Sequence, residues 1–246
     1  MAFLTNKIAL VTGASRGIGA AIAQRLARDG ATVAITYSAS PARAEEVVRS
    51  IVAAGGTAIA VQADSGDPAA VRNAVEAVAA RFGRIDILVN NAGVLHLAPI
   101  TEFPAEDFER LININVRGVF EATKAAVRHM GEGGRIIMIG SVNSDLVPFP
   151  NGSVYALTKG AVAAFTHGLA RELGPKGITV NNLQPGPVAT DMNPEHGDSS
   201  EMLRKTLAVG RYGRPEEVAA LVAHLAGPEA GYITGAQIKI DGGFAA

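Results

Sequence analysis

The strongest constraint on the fold is a regular alternation between short β-branched segments and longer alanine-rich segments that have the periodicity of a helix. Segments of these two kinds in alternation are typical of parallel strands joined by crossover helices. Several of the strand segments are apolar throughout, which is expected of strands covered by helices on both faces. The pattern therefore predicts an α/β fold built on one doubly wound parallel sheet of about seven strands.

The same periodicity sets the expected bounds of the elements. Strands are predicted at 7–12, 32–37, 57–62, 85–90, 135–139, 179–183 and 236–240. Helices are predicted at 18–29, 42–54, 69–82, 105–130, 153–173 and 216–226, four of them beginning beside Pro41, Pro68, Pro104 or Pro215. No stretch has the composition of a linker, so we expect residues 1–246 to form a single domain.

Composition and charge exclude several classes of function. A net charge of -1 and a pI near 6.5 give no basic surface for nucleic acid or for an anionic membrane. The absence of cysteine excludes disulfides and thiolate catalysis, and the five histidines form no pair at metal-ligand spacing, so no metal site is expected. No apolar run approaches about 18 residues, and the N-terminus lacks the pattern of a secretion signal. We therefore expect a cytoplasmic protein.

A glycine-rich turn between the first predicted strand and the first predicted helix is a candidate binding site for a pyrophosphate. It reads Thr12-Gly13-Ala14-Ser15-Arg16-Gly17-Ile18-Gly19, with the glycines spaced G-x-x-x-G-x-G. Glycines there let the backbone approach a pyrophosphate, and the N-terminus of the helix offers free amide hydrogens and a positive dipole end. A purely structural turn also needs glycine and is the alternative. The position of the turn favours a dinucleotide cofactor.

The end of the second predicted strand bears on the choice of cofactor. In dinucleotide-binding folds an acidic residue at this point binds the ribose 2′-hydroxyl of NAD. Here the first acidic residue after the second predicted strand is Glu45. Ser38 and Ser40 provide hydrogen bonds for a 2′-phosphate, and Arg16 and Arg43 provide positive charge. The sequence therefore favours NADP(H) over NAD(H).

Polar residues at the ends of later strands belong to the same edge of the predicted sheet. Asp64 is placed to accept a hydrogen bond from an adenine amino group, or alternatively to cap the helix that begins near Pro68. Asn90-Asn91-Ala92-Gly93 ends the fourth strand, where we expect both ligand contacts and ties between strand ends. Asn115 lies in an otherwise apolar part of a long predicted helix, so its buried amide is expected to hold a helix irregularity and a water.

Ser141, Tyr155 and Lys159 bring a hydroxyl, a phenol and an ammonium group into one stretch of the chain. Tyr155 and Lys159 are four residues apart in a predicted helix, so they share one face. A cation beside a phenol lowers a pKa that is ordinarily about 10, and a tyrosine tuned in this way exchanges protons near neutral pH. The same spacing occurs by chance in ordinary amphipathic helices, so the pair alone does not establish an active site.

Taken together, the motifs resemble the full motif set of the short-chain dehydrogenase/reductase family, in the order and spacing of that family. They are Thr12-Gly13-x-x-x-Gly17-x-Gly19, Asn90-Asn91-Ala92-Gly93, Asn115, Ser141, Tyr155-x-x-x-Lys159 and Pro185-Gly186, and the resemblance continues to Asp241-Gly242-Gly243. The closest resemblance is to members similar to 3-oxoacyl-acyl-carrier-protein reductase. It implies a Rossmann-type catalytic domain over residues 1–246 and an NADP(H)-dependent oxidoreductase acting on CH–OH or C=O groups.

The resemblance also implies a role for each catalytic position. Tyr155 would be the general acid/base and Ser141 would orient the carbonyl. Lys159 would bind the nicotinamide ribose and lower the pKa of Tyr155, while Asn115 would hold a relay water. The implied cofactor contacts are Gly13, Ser15, Arg16, Gly17, Ile18, Gly19, Tyr37, Ser38, Ser40, Asp64, Ser65, Asn91, Ala92, Gly93, Tyr155, Lys159, Pro185, Gly186, Val188 and Thr190.

The expected substrate is a free ketone or aldehyde, interconverted with its alcohol. Its pocket is expected to be lined by His96, Val142, Asn143, Leu146, Phe149 and Met192, under a mobile lid at about 190–207. Reduction of a 3-oxoacyl group on an acyl carrier is the alternative. The basic turn that usually docks the acidic carrier is replaced here by Gly131-Glu132-Gly133-Gly134, and only Lys176 is kept before the sixth strand.

Two further expectations concern regulation and assembly. The segment 190–194 resembles that of an oxidoreductase linked to cyclic dinucleotide binding, so a nucleotide-binding regulatory protein on the same fold stays open. The family resemblance implies a homotetramer. A stripe of mostly small apolar residues suits helix packing across a two-fold axis, although it would also suit packing on the sheet of its own chain. The stripe consists of Ala161, Ala164, Phe165, Gly168 and Leu169.

Overall fold

Seven strands form the centre of the fold in a computed structural model that describes residues 2–246, apart from the side chains of residues 198 and 199. The strands are β1 (Ile8–Val11), β2 (Thr32–Tyr37), β3 (Thr57–Gln62), β4 (Ile87–Asn90), β5 (Arg135–Ile139), β6 (Thr179–Pro185) and β7 (Gln237–Ile240). They pair in parallel in the order β3-β2-β1-β4-β5-β6-β7. The predicted doubly wound parallel sheet is confirmed.

Helices cover both faces of this sheet. They are α1 (Gly17–Arg28), α2 (Pro41–Ala53), α3 (Pro68–Phe82), α4 (Ala105–Ile112), α5 (Gly118–Ala126), α6 (Ser153–Leu173), α7 (Asp198–Lys205) and α8 (Pro215–Ala226). One hydrophobic core gathers buried residues of α1, α2 and α8, and the other gathers those of α3, α5 and α6. Burying both faces explains why the strand sequences are almost continuously apolar.

The strand order reverses beside β1, and this reversal positions the site. Val11 of β1 pairs with Ile35 of β2 on one side and with Val89 of β4 on the other. The chain therefore leaves β1 toward β3, crosses back, and continues from β4 toward β7. Ligands of open α/β sheets bind in the crevice at the carboxyl ends of the strands, at such a switch point. The glycine turn follows directly after β1, and Asn91 follows directly after β4.

The long helix predicted at 105–130 is interrupted. Residues Asn113–Arg117 form a π-helical turn between α4 and α5, and a 3-10 turn at Val127–His129 ends the second segment. Such single π turns occur mostly inside α-helices at functional sites. The irregularity expected at Asn115 is therefore present, and it places this side chain, 1% exposed, beneath the carboxyl edge of the sheet.

The segment from 190 to 207 contains a helix that periodicity did not predict. α7 spans Asp198–Lys205, and a tight turn joins Thr190 to Asn193 through mutual backbone hydrogen bonds of 3.3 and 3.0 Å. The sequence of α7 is mostly polar, so this helix lacks the apolar face by which an amphipathic helix is recognised. Within residues 2–246 no helix combines the length and the hydropathy needed to cross a membrane.

Candidate active site

The glycine turn brings β1 into α1, and its three glycines have different reasons to be glycine. Gly13 and Gly17 adopt left-handed conformations, with φ of 62° and 57°. A Cβ on Gly13 would lie 2.8 Å from the Cα of Ala92, and one on Gly19 would lie 2.4 Å from Nδ2 of Asn91. Close packing against Asn91 and Ala92, which follow β4, therefore requires glycine at positions 13 and 19, and the approach of a pyrophosphate to this turn stays a prediction.

Gly17 is the glycine of this turn without a close backbone contact. The nearest side chain to a Cβ placed there is Thr190, at 3.5 Å, on the segment after β6. Residue Arg16 precedes α1 and makes no side-chain cap for it, so amide groups of the first turn are left for another acceptor. Gly17 and Thr190 thus lie close together at the N-terminus of α1, next to an open crevice that Ser15, Arg16 and Asp191 line.

Asn91 fastens the two central strands together. Its Nδ2 donates to the carbonyl oxygens of Thr12 (2.9 Å) and Gly13 (3.0 Å), and its own amide and that of Ala92 donate to Oγ1 of Thr12. Its neighbour Asn90 is buried and donates to Oγ1 of Thr123 in α5. Asn91 therefore ties the ends of β1 and β4, one of the two roles expected of this segment, whereas Asn90 ties β4 to α5.

Asn115 connects the π turn to the helix that carries the phenol. Its Oδ1 accepts from the amide of Val94 (2.8 Å), and its Nδ2 donates to the Val94 carbonyl (2.9 Å) and to Oγ1 of Thr158 (3.1 Å). Thr158 in turn donates to the carbonyl of Tyr155 at 2.7 Å. Both amide hydrogens of Asn115 are used by protein groups, so only its oxygen atoms remain to bind a water.

Lys159 and Tyr155 lie on one face of α6, as their spacing predicts. Nζ of Lys159 is 5.8 Å from the centre of the Tyr155 ring and donates to the carbonyl of Ile139, the last residue of β5, at 3.0 Å. A Cβ on Gly93 would lie 3.4 Å from Oδ1 of Asn115 and 3.5 Å from Nζ of Lys159. The absence of a side chain at Gly93 therefore keeps a space between the amide oxygen and the ammonium.

Burial governs the ionisation of this pair. Desolvation raises the pKa of Tyr155 to about 12, and the nearby hydroxyl of Ser141 opposes this shift only in part. Desolvation also lowers the pKa of Lys159 to about 8. The net shift of the Tyr155 pKa is therefore upward, opposite to the net lowering that was expected beside an ammonium group, because removing the phenol from water has the larger effect. Tyr155 is a protonated acid at neutral pH.

Ser141 stands at the start of a 3-10 turn that follows β5. Its Oγ accepts from the amide of Asn143 at 3.1 Å and donates to Oδ1 of the same residue at 3.2 Å. Asn143 is itself held by a bond from its Nδ2 to the carbonyl of Leu146 at 2.9 Å. The Ser141 hydroxyl hydrogen has to leave Asn143 and rotate before it donates to a substrate carbonyl.

Two residues that sequence reasoning missed hold this turn in place. Gln184 of β6 is fully buried and donates from Nε2 to Oγ of Ser144 at 2.7 Å, and Ser144 donates to the Ser141 carbonyl at 2.9 Å. A Cβ on Gly140 would lie 2.4 Å from Oδ1 of Asn182, also in β6. Polar residues in a strand that is predicted to be buried on both faces need hydrogen-bond partners, and this could have indicated that Gln184 and Asn182 contact the turn after β5.

The expected adenosine side of the crevice is open. Ser38 is exposed at the end of β2, Tyr37 and Ser40 are half-buried, and Ser40 makes no side-chain cap for α2. Asp64 is exposed, and its Oδ1 accepts from the amide of Gly66 at 3.0 Å. The N-cap of α3 is Asp67, so the alternative role of Asp64 as a helix cap is wrong. Ser65 and Ile18 are half-buried.

The segment after β6 contacts the glycine turn. Gly186 packs against Asp241, where a Cβ would be 2.7 Å from the Asp241 Cα. Val188 is 4% exposed and its side chain belongs to the hydrophobic core, so the cofactor contact predicted there would have to come from its backbone. Asp191 forms ion pairs with Arg43 (2.7 Å) and Arg16 (3.3 Å). The two predicted phosphate-binding arginines therefore already share one carboxylate.

The residues that were expected to line the substrate pocket differ in how far they are buried. Val142 is 2% exposed, so its side chain offers no surface to a substrate, contrary to expectation. Leu146 and Phe149 are half-buried in the loop between β5 and α6, and Met192 is exposed. His96 contacts α4, with Nδ1 3.6 Å from Asp107 and its ring edge-on to Phe103 at 5.2 Å. The loop residues are the best placed to line a pocket beside Tyr155.

Comparison with known proteins supports an oxidoreductase site. A family model described as enoyl-(acyl carrier protein) reductase matches residues 13–245. The chain is 46% identical over 246 residues to the cyclic-di-GMP-binding biofilm dispersal mediator protein of Escherichia coli, with both chains covered completely.

Solved structures resemble this chain over nearly its whole length. A short-chain dehydrogenase/reductase from Serratia marcescens is 54% identical with a TM-score of 0.98, covering 99% of this chain and 100% of that one. A short-chain dehydrogenase from Burkholderia cenocepacia, crystallised in complex with NADP, is 53% identical with a TM-score of 0.97 and the same coverage.

Proposed function

The chain belongs to the short-chain dehydrogenase/reductase family of oxidoreductases, and on that premise we propose that it is an NADPH-dependent carbonyl reductase. It interconverts a ketone or aldehyde with the corresponding alcohol. The observation that carries this proposal is that Ser141, Tyr155 and Lys159 lie together after β5: the Ser141 hydroxyl is close enough to act on the phenol, and Nζ of Lys159 is 5.8 Å from the centre of its ring.

The residues of the crevice fit a nicotinamide dinucleotide. The free amides of α1 and the bare backbone of Gly17 suit a pyrophosphate. The space that Gly93 leaves beside Nζ of Lys159 suits a ribose hydroxyl, and Thr190 borders the same crevice. When bound, NADPH supplies a hydride equivalent to the carbonyl carbon.

Three side chains stabilise the negative charge that develops on the carbonyl oxygen and on the phenol. Because its pKa is raised to about 12, Tyr155 is protonated at neutral pH and is still a stronger acid than an alcohol, so it donates its proton to the developing alkoxide. The Ser141 hydroxyl, released from Asn143, donates a second hydrogen bond to the same oxygen. Lys159 stabilises the tyrosinate that is left, across 5.8 Å to the ring centre.

A proton route to Tyr155 is part of the proposal. Oδ1 of Asn115 and Nζ of Lys159 border the space beside Gly93, and a water that bonds to both would pass a proton toward the ribose and the phenol. Val142 is not carried forward as a substrate contact because its side chain is buried, and the contact proposed at Val188 is one from its backbone. The remaining cofactor and substrate contacts stay predictions.

Cofactor preference provides a direct test. We propose that Arg16 and Arg43 bind the 2′-phosphate of NADPH, since guanidinium groups bind phosphate with charge-assisted hydrogen bonds. Replacing either arginine with alanine should raise the KM for NADPH by about 10- to 100-fold, the value of one charged hydrogen bond, and leave the KM for NADH nearly unchanged. Initial rates with each cofactor and a panel of ketones measure this.

The matched control is Arg49→Ala. Arg49 lies on α2, as Arg43 does, is exposed, and is 3.9 Å from Glu45. This variant should leave both KM values at the wild-type level. Equal KM values for NADH and NADPH in the wild type, unaffected by Arg16→Ala or Arg43→Ala, would contradict the assignment of NADP(H).

A second candidate function is favoured by the relative from Escherichia coli, whose name states that it binds cyclic-di-GMP. On this alternative the chain binds a cyclic dinucleotide as a regulator. Calorimetric titration with cyclic-di-GMP and with NADPH separates the two. Tight binding of the cyclic dinucleotide without any turnover of ketones would favour regulation. Reduction of a 3-oxoacyl group on an acyl carrier remains an alternative substrate assignment and is tested by adding the carrier-bound substrate to the panel.

We also propose a homotetramer of single-domain subunits in which residues 190–207 act as a lid. Ala164 and Gly168 of the apolar stripe are exposed, as are Leu157 on the same helix and Phe120 on α5, whose ring centre is 6.2 Å from that of Phe165, whereas Leu169 packs inside its own chain. Exposed apolar side chains on these helices support an interface between copies. Light scattering that gives the mass of a monomer at micromolar concentration would contradict it.

A further inference from the structure

Asp191 occupies the point where two predicted phosphate-binding residues meet. Its Oδ2 atom accepts from Nη1 of Arg43 at 2.7 Å and from Nη1 of Arg16 at 3.3 Å. Arg16 belongs to the glycine turn and Arg43 to the first turn of α2, so the carboxylate joins two elements that are far apart along the chain. The same two guanidinium groups hold the pKa of Asp191 below its ordinary value, so the carboxylate is charged at neutral pH.

The pairing leaves most of the binding capacity of the arginines unused. Two guanidinium groups carry ten N–H donors in fixed planar forks, and Asp191 accepts from them through one oxygen atom only. All three side chains are more than half exposed, at 61%, 52% and 60% for Arg16, Arg43 and Asp191, and they border an open cleft that Ser15 also lines. A phosphate dianion offers three acceptor oxygens and more charge than a carboxylate, so it satisfies the same donors better.

We infer that Asp191 is a specificity-determining residue that acts as an internal competitor of the 2′-phosphate of NADP(H), and that the phosphate displaces it from Arg16 and Arg43 on binding. The inference rests on the proposed function. A cofactor without the 2′-phosphate has nothing to exchange for the carboxylate and leaves the ion pairs in place. Asp191 therefore reduces the affinity for NADP(H) without affecting that for NAD(H), and so narrows the discrimination between them.

Displacement of Asp191 from the two arginines also affects the segment that begins at Thr190. Asp191 follows Thr190, which lies close to Gly17 and forms the turn to Asn193. Breaking the two ion pairs frees the start of the segment 190–207 from the glycine turn and from α2. Occupation of the phosphate position is thus coupled to the freedom of a segment that we propose to close over the substrate.

The experiment uses 2′,5′-ADP and 5′-AMP, which differ by the 2′-phosphate and carry no nicotinamide. The full-length protein and Asp191→Asn are titrated with each by calorimetry. An exposed ion pair contributes up to about fivefold to an equilibrium constant, so the variant should bind 2′,5′-ADP about three- to tenfold more tightly and 5′-AMP with unchanged affinity. Glu45→Gln is the control, because it removes one negative charge from α2 at a residue that pairs with Arg49.

A second readout tests the coupling. Adding 2′,5′-ADP should accelerate amide hydrogen exchange at residues 190 and 193 in the wild type and have little effect in Asp191→Asn, where the pairs are already weakened. Equal or weaker binding of 2′,5′-ADP by the variant, in a wild type that prefers this ligand to 5′-AMP, would overturn the inference and leave the proposed cofactor standing. If the wild type shows no preference for 2′,5′-ADP, both the inference and the NADP(H) assignment are overturned.

Discussion

Replacing Tyr155 with phenylalanine is expected to lower kcat for ketone reduction by about 10²- to 10⁴-fold, the usual contribution of a general acid. The substitution removes only the hydroxyl, so α6 and the bond from Thr158 to the carbonyl of residue 155 are retained. The affinity for NADPH should fall by less than about fivefold, because at most one hydrogen bond is lost. Single-turnover rates together with calorimetric affinities separate these two effects.

The pH dependence of the wild type follows from the same group. Burial raises the pKa of Tyr155 to about 12, so the acid form persists and reduction should be nearly independent of pH between about 6 and 8. Oxidation of the alcohol requires the tyrosinate and should become faster as the pH rises toward about 8, above which Lys159 loses the charge that stabilises the tyrosinate. Tyr232→Phe on the exposed surface is the control and should behave as the wild type. Full activity of Tyr155→Phe would remove the phenol from the mechanism.

Replacing Lys159 with methionine is expected to abolish most activity without unfolding the protein. The loss should be about 10²- to 10³-fold in kcat, as for removal of an electrostatic group that stabilises charge in the transition state. Burial lowers the Lys159 pKa from 10.5 to about 8, which corresponds to an unfavourable contribution of about 3 kcal/mol at neutral pH. The variant removes this cost but leaves the Ile139 carbonyl without its donor, a loss of about 1–3 kcal/mol.

The free energy of unfolding at pH 7 should therefore stay the same or rise by up to about 2 kcal/mol in Lys159→Met. The wild type should gain stability as the pH rises from about 8 to 10.5, because the unfolded lysine then binds more protons than the folded one, and the variant should lack this gain. Urea unfolding at several pH values measures both. Lys176→Met, at an exposed lysine, is the control, and a clear destabilisation of Lys159→Met alone would contradict the account.

The sheet and its helices could be predicted because their signals are local. The β-branched segments and the alanine-rich segments each show their period within a few residues, and α6 has the predicted bounds of 153–173. Helix α7 could not be predicted in this way, since it is short and polar. The interruption at Asn113–Arg117 was indicated by the two asparagines in an apolar helix, although its π-helical form depends on the contacts of Asn115 with Val94 and Thr158.

The candidate site was predictable where single residues carry the chemistry and not where pairs of distant residues do. Tyr155 and Lys159 are brought together by helix geometry alone. The link from Gln184 through Ser144 to Ser141, and that from Asp191 to Arg43, join residues separated by 40 and 148 positions, and no local pattern indicates them. The pKa of Tyr155 was predicted with the wrong sign because a sequence shows a neighbouring charge but not the loss of water around the phenol.

Transfer of deuterium from NADPH labelled at C4 of the nicotinamide is the most direct test of the proposed carbonyl reductase. The wild type is incubated with each labelled epimer and a ketone that it consumes, and the alcohol is analysed by mass spectrometry and NMR. We predict one deuterium on the carbinol carbon from one of the two epimers, and at least about 100-fold less labelled alcohol with Tyr155→Phe over the same time. An alcohol without deuterium from either epimer, or a protein that binds NADPH and reduces no carbonyl compound, would contradict the account.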